Sequence, residues 1–469
     1  MKDKLVHSLQ EAIRLSGLKD GDSISFHHHL RNGDYVVNMV LEEIKKAGIK
    51  DLTVNMSSFF DCHAPIIAHI KAGVVSKIRT NYMAAGIGRA ISQGILAAPV
   101  EFRTHGGRPS AIEQGLTPID VAFLAAPTCD SMGNLTGKTG PTACGSLGYA
   151  FPDAMHAKTV IAVTDNLVPY PLLSPSIPET YVDYVVQADK IGDPSGIVSG
   201  TTRITRDPVG LMMAEEAARV IQASGLLKNG FSFQTGAGGA SLATASFVRQ
   251  IMRDEKIKGS FCSGGITGYM VDMLKEGLFD ALLDVQCFDL KAASSLAENP
   301  RHMEISASRY ASPTAKSAVV DSLDVVVLGA TEVDTDFNVN VHTNSSGYIM
   351  GGSGGHSDTA AGAKMSLIIT PLFRGRMPMI TDRVHCISTP GKDVDLVVTQ
   401  AGIAVNPKNK DLLDRLLAAG LPVTDIHELK EKAEKITGKP KKIPHGDRVV
   451  ADVIYRDGRK IDRIYSVLP

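Results

Sequence analysis

Residues 230–268 read GFSFQTGAGGASLATASFVRQIMRDEKIKGSFCSGGITG, and this stretch decides how the rest of the chain is interpreted. A short strand over residues 231–234 leads into a turn with three glycines, Gly236, Gly238 and Gly239, which opens a helix. A second strand then ends in a second glycine turn. Glycine lets the backbone approach a ligand closely, and the free N–H groups of a helix N-terminus suit an anion. The stretch predicts an α/β unit with an anion-binding edge, and a plain strand-to-helix turn is the alternative.

The composition is that of a globular protein with more than one core. A chain of 469 residues is too long for one ordinary core, so two or three domains are expected. Hydrophobic residues make up 43% and charged residues 21% of the chain. The net charge of −1 provides no overall field for a nucleic acid or an anionic membrane, and we expect neither as a partner.

The sequence also predicts a cytoplasmic location. No run of 18 apolar residues is present, and the first residues lack the continuous apolar core of a signal peptide. The cysteines are scattered without a Cys-x-x-Cys pair, which is typical of reduced thiols, and they stand at positions 62, 129, 144, 262, 287 and 386.

Strand and helix patterns alternate along most of the chain. A helix is predicted over residues 1–18, ending at Gly17, and residues 20–48 read as a strand, a polar turn and a helix. The apolar run DVAFLAAP at 120–127 predicts a strand in the middle of a sheet. This alternation predicts parallel sheets with right-handed crossovers.

After Gly225 the pattern begins again, which indicates a duplication. The segment at 25–27 corresponds to that at 232–234, VDYVV at 182–186 corresponds to VDLVV at 394–398, and the pair Asp130 and Asn134 corresponds to Asp334 and Asn338. Chance matching of valine-rich strands is the alternative. We therefore predict an α/β protein of two tandem related open α/β domains, at 1–225 and 226–469. The second domain would include C-terminal helices and a hairpin that turns at 457–458.

Polar loops at predicted strand ends supply candidate binding residues, because ligands bind there in open α/β sheets. The first loop, FHHHLRNGD, contains His28, His29, Arg31 and Asn32, which suit a carboxylate or a phosphate. Consecutive strand residues point to opposite faces, so at most two of the three histidines at 27–29 could meet one ion. We expect no metal site here.

Two further loops have similar character. THGGR offers His105 and Arg108, and the glycine-dense loop at 351–364 offers Ser353 and His356, with polar turns as the alternative interpretation. The glycine-dense loop lacks the order of a phosphate-binding P-loop, and a dinucleotide fold is not indicated. The sequence Asp-Cys-His at 61–63 suggests a nucleophilic pair, but neighbouring side chains rarely face each other.

A set of motifs in order along the chain resembles the α subunits of citrate lyase, from about residue 4 to the end. The motifs are SFHHHLRNGD, SSFFDCHAP, THGGR, CGSLGYA, PYP, GFSFQTGAGGASLA, GGITGYMVDM, LLDVQCFD, MEISASRYA, EVDTDFNVNV, GGSGGHSDTAAGAK and TPGKDVDLVVTQAGIAVNP. This resemblance implies the coenzyme A transferase fold, in agreement with the duplication.

The resemblance also implies an activity and partners. Acetyl thioester on the phosphoribosyl-dephospho-CoA arm of an acyl carrier protein (the γ subunit) would exchange with citrate, giving citryl thioester and acetate. A β subunit would then cleave the citryl thioester, and free coenzyme A thioesters could act as surrogates. We expect one cytoplasmic complex, with this chain as a homo-oligomer within it.

One departure from the wider fold family bears on mechanism. Many coenzyme A transferases carry a glutamate nucleophile at a position that falls here on Ser263, and no Asp or Glu lies between residues 256 and 270. Direct attack by a citrate carboxylate is therefore expected, without a general base, because that carboxylate is already ionised. The N–H groups expected to stabilise the oxyanion belong to Gly236, Gly238, Gly239, Ser263, Gly264 and Gly265.

Two rival hypotheses remain at this stage. The chain could be a transferase that uses free coenzyme A or citramalate, because the fold and loops would be the same. Alternatively, it could be a non-catalytic scaffold of this fold that binds an anion or a partner. We expect no metal in this chain.

Overall fold

The computed structural model describes residues 4–198, 202–440 and 443–468. The strands of the first half are β1 (Leu5–Val6), β2 (Ser23–Phe26), β3 (Leu52–Met56), β4 (Val75–Thr80), β5 (Val100–Phe102), β6 (Val121–Ala126), β7 (Thr128–Asp130), β8 (Leu135–Thr136), β9 (Thr159–Thr164), β10 (Leu167–Val168) and β11 (Tyr184–Gln187). Those that follow are β12 (Ser232–Thr235), β13 (Gly259–Ile266), β14 (Phe279–Cys287), β15 (His302–Glu304), β16 (Val325–Gly329), β17 (Glu332–Asp334), β18 (Val339–Asn340), β19 (Met365–Ile369), β20 (Phe373–Arg374), β21 (Met377–Pro378), β22 (Ile380–Thr381), β23 (Leu396–Thr399), β24 (Gly402–Val405), β25 (His445–Ile454) and β26 (Lys460–Val467).

The helices alternate with these strands as the sequence predicts. They are α1 (Leu9–Ser16), α2 (Val36–Lys46), α3 (Ile66–Lys71), α4 (Ala85–Ser92), α5 (Gly107–Glu113), α6 (Ala150–His156), α7 (Pro208–Ala223), α8 (Gly239–Asp254), α9 (Gly268–Lys275), α10 (Leu290–Glu298), α11 (Ala307–Ala311), α12 (His356–Gly362), α13 (Lys410–Ala418) and α14 (Ile426–Thr437). None of those in the described ranges combines the length and the apolar character that crossing a membrane would require.

Two large sheets carry the fold, and they repeat one topology. In the described residues the first sheet has the order β1-β11-β9-β6-β2-β3-β4-β5-β25-β26, and the second has the order β15-β14-β13-β12-β16-β19-β23-β24. Read in reverse, the second order contains β23-β19-β16-β12-β13-β14-β15, which matches β11-β9-β6-β2-β3-β4-β5 strand for strand. The outer strands β1, β24, β25 and β26 have no counterpart in this match. The fold is therefore α/β with two tandem related open units, and β6 lies in the middle of its sheet as predicted.

The matched Asp and Asn residues form the same turn in both halves. The Oδ1 atom of Asp130 accepts the N–H of Asn134, and the Asn134 amide donates to Oδ2 at 2.9 Å. Asp334 and Asn338 make the same two contacts, the second at 3.2 Å. The two pairs therefore form equivalent turns, one between β7 and β8 and one between β17 and β18, and they do not form a repeated chemical site.

The first residues depart in part from the predicted helix. Gly17 ends α1 in the left-handed conformation, with φ of 70°, as expected for a helix C-terminus. Residues 5–6, however, form β1, which pairs with β11 in parallel. The apolar spacing resembles a helix here, but two residues at the edge of a sheet gain backbone hydrogen bonds as a strand.

The C-terminal hairpin requires a correction to the predicted domains. The turn at 457–458 joins β25 and β26 as predicted, and Gly458 has φ of 88°. The hairpin pairs with β5 of the first sheet, through Ala451 opposite Val100 and Val453 opposite Phe102, and not with the second sheet. Without it, β5 would present an open edge, and open edges are a liability that folded proteins cover.

Candidate active site

A cavity of about 420 Å³ lies among loops that follow the parallel strands of both halves. From the first half the lining residues are His28, Arg31, Ser58, Phe60, Tyr82, His105 and Tyr149. From the second half they include residues 234–241, Gly265, Gln286, Phe288, Tyr310, residues 328–331, residues 350–356 and Arg374. The site thus lies where the carboxyl ends of both sets of strands meet, which is the position expected for a ligand in open α/β sheets.

The first glycine turn aims a helix N-terminus at this cavity. Gly238 has φ of 143°, a conformation that favours glycine, and α8 begins at the next residue. The Gly236 N–H donates to the Val327 carbonyl at 2.7 Å, so this donor is occupied within the sheet. The first N–H groups of α8 have no partner inside the helix and carry the positive end of its dipole. They are available to an anion in the cavity.

The predicted second glycine turn is not a turn at Ser263, Gly264 and Gly265: these residues lie inside β13, with a shift of register between the two glycines. They contribute less surface than the first turn. Gly265 lines the cavity, whereas Ser263 and Gly264 are not among its lining residues. The Ser263 side chain is fully buried, and its hydroxyl makes no hydrogen bond within the described residues. Gly264 has φ of 94°, and a Cβ atom there would lie 2.6 Å from the Gln234 amide. Ser263 therefore has no open path to a substrate in the cavity.

Arg31 places a positive charge on the wall of the cavity. Its guanidinium carbon lies 4.7 Å from the centroid of the Phe60 ring and 5.0 Å from that of Phe288. Burial lowers the pKa of Arg31 to about 10, so the group stays charged at neutral pH. None of the described lining residues is Asp, Glu or Cys. The cavity therefore suits an anion.

Two histidines from separate loops stack beside Arg31. The ring centroids of His28 and His105 lie 5.6 Å apart, and each ring also packs on Tyr149. Burial, reinforced by neighbouring positive groups, lowers the pKa of His28 well below its usual range and that of His105 to about 3. Both rings are neutral at pH 7, and each carries one N–H donor. They can therefore act as neutral donors to a carboxylate.

The predicted residues of the 351–364 loop also reach the cavity. Ser353 lines it, and the Ser353 hydroxyl lies 2.9 Å from that of Ser357. His356 lines it too, but its Nδ1 contacts the Thr389 hydroxyl at 2.7 Å and its Nε2 contacts the Gly329 carbonyl at 3.0 Å. Since both ring nitrogens are engaged, His356 holds the loop against the end of β16.

Three predicted binding residues lie away from the cavity lining. His29 Nε2 contacts the Ala125 carbonyl at 2.9 Å, and Asn32 is exposed, with Oδ1 accepting the N–H of Cys62. Arg108 is buried and donates to Asp153 at 2.8 Å. The triplet at 27–29 thus points in different directions, which agrees with the alternation expected from the sequence.

Neighbouring Cys62 and His63 do not form a nucleophilic pair. The His63 Nδ1 atom accepts the N–H of Phe60 at 2.9 Å, and the Cys62 thiol faces the Arg31 carbonyl. Burial raises the pKa of Cys62 to about 12, so this thiol remains protonated at neutral pH. Proximity in the sequence therefore does not create a thiolate here.

A separate cluster of potential metal ligands lies outside the cavity lining. In the described residues, Asp284, Cys287 and His302 place their ligand atoms within 4.8 Å of one another. Asp284 Oδ2 lies 2.9 Å from both the Cys287 sulfur and the His302 Nε2. These contacts have the length of hydrogen bonds and already connect the three side chains.

Sequence reasoning missed several lining residues. Gln234, Gln286 and Tyr310 contribute polar groups, and the Gln234 amide donates to the Tyr310 hydroxyl at 2.7 Å. Gln234 lies near the end of the strand that leads into the first glycine turn, so its position was a usable signal. Tyr310 belongs to the MEISASRYA segment, but nothing in that segment indicates a contact with the cavity, and only the fold brings it close.

Comparison with known proteins identifies the family. The chain matches the family model described as "Citrate lyase, alpha subunit (CitF)" over residues 2–467. It is 51% identical to the citrate lyase alpha chain of Klebsiella pneumoniae over 464 residues, which cover 99% of this chain and 91% of that relative. The structure of a Streptococcus mutans chain described as an alpha subunit of citrate lyase, in complex with citrate, superposes with a TM-score of 0.98. That chain is 54% identical, and the match covers 100% of this chain and 92% of that one.

A more distant structure shares the fold. A chain of a Pseudomonas malonate decarboxylase hetero-tetramer in complex with malonate has a TM-score of 0.70 at 17% identity, covering 92% of this chain and 86% of that one. At this identity the likeness concerns architecture alone. By its near-complete match to the family model and its 51% identity with the citrate lyase alpha chain of Klebsiella pneumoniae, the chain belongs to the citrate lyase alpha subunit family.

Proposed function

We propose that the chain transfers the thiol of an acyl carrier protein from acetyl to citrate, so that acetyl thioester and citrate yield citryl thioester and acetate. The carrier's phosphoribosyl-dephospho-CoA arm delivers the thioester as substrate, and a β subunit of the same cytoplasmic complex consumes the product. Family membership supports this activity, and the character of the cavity supports the mechanism.

The observation that carries the mechanism is a cavity rich in donors, whose described lining contains no Asp, Glu or Cys. An acyl-enzyme formed on a carboxylate or a thiolate would need one of these side chains within reach. In the proposed reaction, a citrate carboxylate oxygen attacks the acetyl carbonyl carbon, and the carbon–sulfur bond breaks. The released thiolate attacks the citryl carbonyl of the resulting anhydride, and acetate leaves. Neither step needs a general base.

The protein's contribution is orientation and stabilisation of the oxyanion. We assign Arg31 to a citrate carboxylate, with His28, His105 and Ser353 as neutral donors around it. The N–H groups at the start of α8 and at Gly265 would bind the oxyanion. Correct orientation contributes about 7–11 kcal/mol to such reactions, and one oxyanion donor contributes roughly 3–4 kcal/mol.

The remaining predicted residues have supporting roles in this proposal. Gly236 shapes the first glycine turn, and Gly264 leaves room for the Gln234 amide. Ser263 is buried, and His356 holds the 351–364 loop against the end of β16. Arg108, His29 and Asn32 would fix the first-half loops through their contacts with Asp153, Ala125 and Cys62. No metal is assigned a role in this chain.

The test uses the α chain, an acetyl-loaded carrier and citrate, without the β subunit. Intact-mass spectrometry should show the carrier shift from acetyl to citryl while the mass of the α chain stays unchanged. An acyl adduct on the α chain would contradict direct transfer. Absence of exchange with a properly loaded carrier would contradict the activity, and repeating the assay with citramalate or free acetyl coenzyme A would then identify the alternative substrate.

A further inference from the structure

The side-chain amide of Gln234 is buried in the wall of the cavity. Gln234 lies on the cavity wall, one residue before the end of β12, and only 4% of the residue is exposed. Its Nε2 donates to the Tyr310 hydroxyl at 2.7 Å, and in the described structure its Oε1 has no hydrogen-bond partner. A buried acceptor without a partner is uncommon in folded proteins and calls for an explanation.

The amide is held rigidly in this position. A Cβ atom at Gly264 would lie 2.6 Å from both Cδ and Nε2 of Gln234, so the amide packs directly over the Gly264 backbone. Tyr310 is itself buried, and its hydroxyl lies close to Gly355, where a Cβ atom would be only 2.6 Å from the hydroxyl oxygen. The glycine at 264 therefore makes room for the amide, and the tyrosine fixes its rotation.

The chemistry of the other lining groups defines what this oxygen would bind. Arg31, the neutral histidines and the first N–H groups of α8 all donate, and they match the carboxylates of a tricarboxylic acid. Citrate has one group that can donate in return, its tertiary hydroxyl. We propose that Gln234 Oε1 accepts the citrate hydroxyl hydrogen and thereby selects a hydroxylated acid, an inference that rests on the proposed function.

Neighbouring polar groups do not offer the same selection. The hydroxyls of Thr235 and Ser241 also lack partners within the described residues, but a hydroxyl can rotate to donate to a carboxylate. Gln286 also lines the cavity, and its Nε2 donates to the His28 carbonyl at 2.8 Å. Its Oε1 accepts no hydrogen bond within the described residues either, but it is not among the fully buried unpartnered atoms, so water can satisfy it. Among the described lining side chains, Gln234 carries the buried amide oxygen that has no partner.

The experiment compares citrate with tricarballylate, which has the same three carboxylates without the hydroxyl. Release of acetate from the acetyl-loaded carrier is measured for the wild-type chain and for Gln234→Met, which keeps the length of the side chain and removes the acceptor. A site built to bind a hydroxyl rejects an analogue without it, so wild type should prefer citrate by at least about 100-fold in kcat/KM. Gln234→Met should reduce this preference to below about 5-fold, mostly by losing activity with citrate.

Gln286→Met is the comparison variant, because it removes the other amide oxygen on the lining. It should change the ratio between the two acids less than Gln234→Met does, and a larger change would overturn the proposal. Equal losses of Gln234→Met on both acids, or an unchanged ratio, would overturn the proposal. Tyr310→Phe removes the anchor of the amide and should reduce the ratio as well. This second variant keeps the test decisive if Gln234→Met does not fold.

Equilibrium binding separates this proposal from the proposed function. Calorimetry of both acids with the wild-type chain and Gln234→Met should show a citrate preference that the substitution removes, whether or not transfer occurs. A wild-type chain that binds citrate selectively but transfers nothing would contradict the proposed function and leave the selection intact. Equal affinity of the wild-type chain for the two acids would overturn the selection.

Discussion

The Arg31 side chain is positioned by an uncommon backbone conformation and by two aromatic rings. The residue has φ of 52°, in the left-handed region, and its guanidinium is enclosed between the Phe60 and Phe288 rings. The flat, delocalised cation stacks on aromatic rings in a way that a lysine ammonium does not. One ring comes from each half of the molecule, so the charge depends on both halves.

Replacing Arg31 by Met should lower kcat/KM for citrate at least about 100-fold, because the cavity loses its buried charge. Arg31→Lys should recover little of this loss, since lysine lacks the planar fork. Steady-state kinetics at varied citrate is the measurement. Arg374→Met, which alters the exposed arginine on the lining, should change kcat/KM less than about 5-fold. Similar losses for Arg31→Met and Arg374→Met would contradict the assignment.

At the scale of elements, two glycines distinguish two effects that an added Cβ atom can have. One effect is strain in the backbone, and the other is a collision with a neighbouring side chain. Gly264 and Gly277 have φ of 94° and 78°, so a side chain is strained at both. At Gly264 the new atom would also meet the Gln234 amide at 2.6 Å, whereas at Gly277 nothing lies within 4 Å. The two positions are therefore a matched pair for backbone strain.

Gly264→Ala should reduce kcat/KM about 100-fold or more, because the amide over it must move. Gly277→Ala should retain activity and lose only about 1–2 kcal/mol of unfolding free energy from the strained backbone. Activity assays and urea unfolding of both variants provide the measurement. Full activity in Gly264→Ala would show that the position of the Gln234 amide is unimportant.

One side chain adds to the strand pairing that holds the C-terminal hairpin on the first half. Arg448 on β25 donates to the carbonyls of Gly94, Leu96 and Ala97, which precede β5. Arg448→Ala should lower the free energy of unfolding by about 1–3 kcal/mol, because these charge-assisted bonds are lost. Arg463 on the outer strand pairs only with Asp452 among the described ion pairs, and Arg463→Ala should change stability by less than 1 kcal/mol. Urea unfolding distinguishes the two variants, and equal effects would contradict the role of Arg448.

The sequence predicted most elements but not all of their partners. Buried parallel strands are apolar runs, so β6 was recognisable from the sequence, and the segments matched across Gly225 indicated the duplication; the order of the strands in each sheet was not predicted. The pattern of β25 and β26 predicted a hairpin, but nothing in an alternating strand states which sheet edge it will cover. In the site, Arg31 and the first glycine turn were predicted from local chemistry. Tyr310 was not, because its role arises only when distant segments meet.

At the scale of the whole molecule, buried neutral histidines dominate the expected dependence of stability on pH. Burial lowers the pKa of these histidines, several of them to about 3 or 4, and they are His27, His28, His29, His63, His105, His342 and His356. In the unfolded chain their pKa is about 6.5, so acidification below that value protonates the unfolded state first. Stability therefore falls as the pH falls.

Five acids act in the opposite direction. Burial raises the pKa of Asp34 to about 7 and that of Asp358 to about 6, and it also raises the pKa of Asp153, Glu304 and Asp334. They keep their protons in the folded state, so their contribution falls as the pH rises from about 4 to about 7. The histidines outnumber these acids. Each histidine changes the free energy of unfolding by about 1.4 kcal/mol per pH unit over the range where it is protonated only in the unfolded chain. Calorimetry should show a lower Tm at pH 5 than at pH 7, and a higher Tm at pH 5 would contradict this balance.

The position of the hairpin has a consequence for how the chain is made. During synthesis, β5 leaves the ribosome several hundred residues before β25, its neighbour in the sheet. At about 5–20 residues per second, the nascent first half waits for tens of seconds with an unpaired edge strand. A chain whose synthesis stops before β25 would lack the strand that covers the β5 edge. Folding of the first half is therefore complete only after β25 has been made.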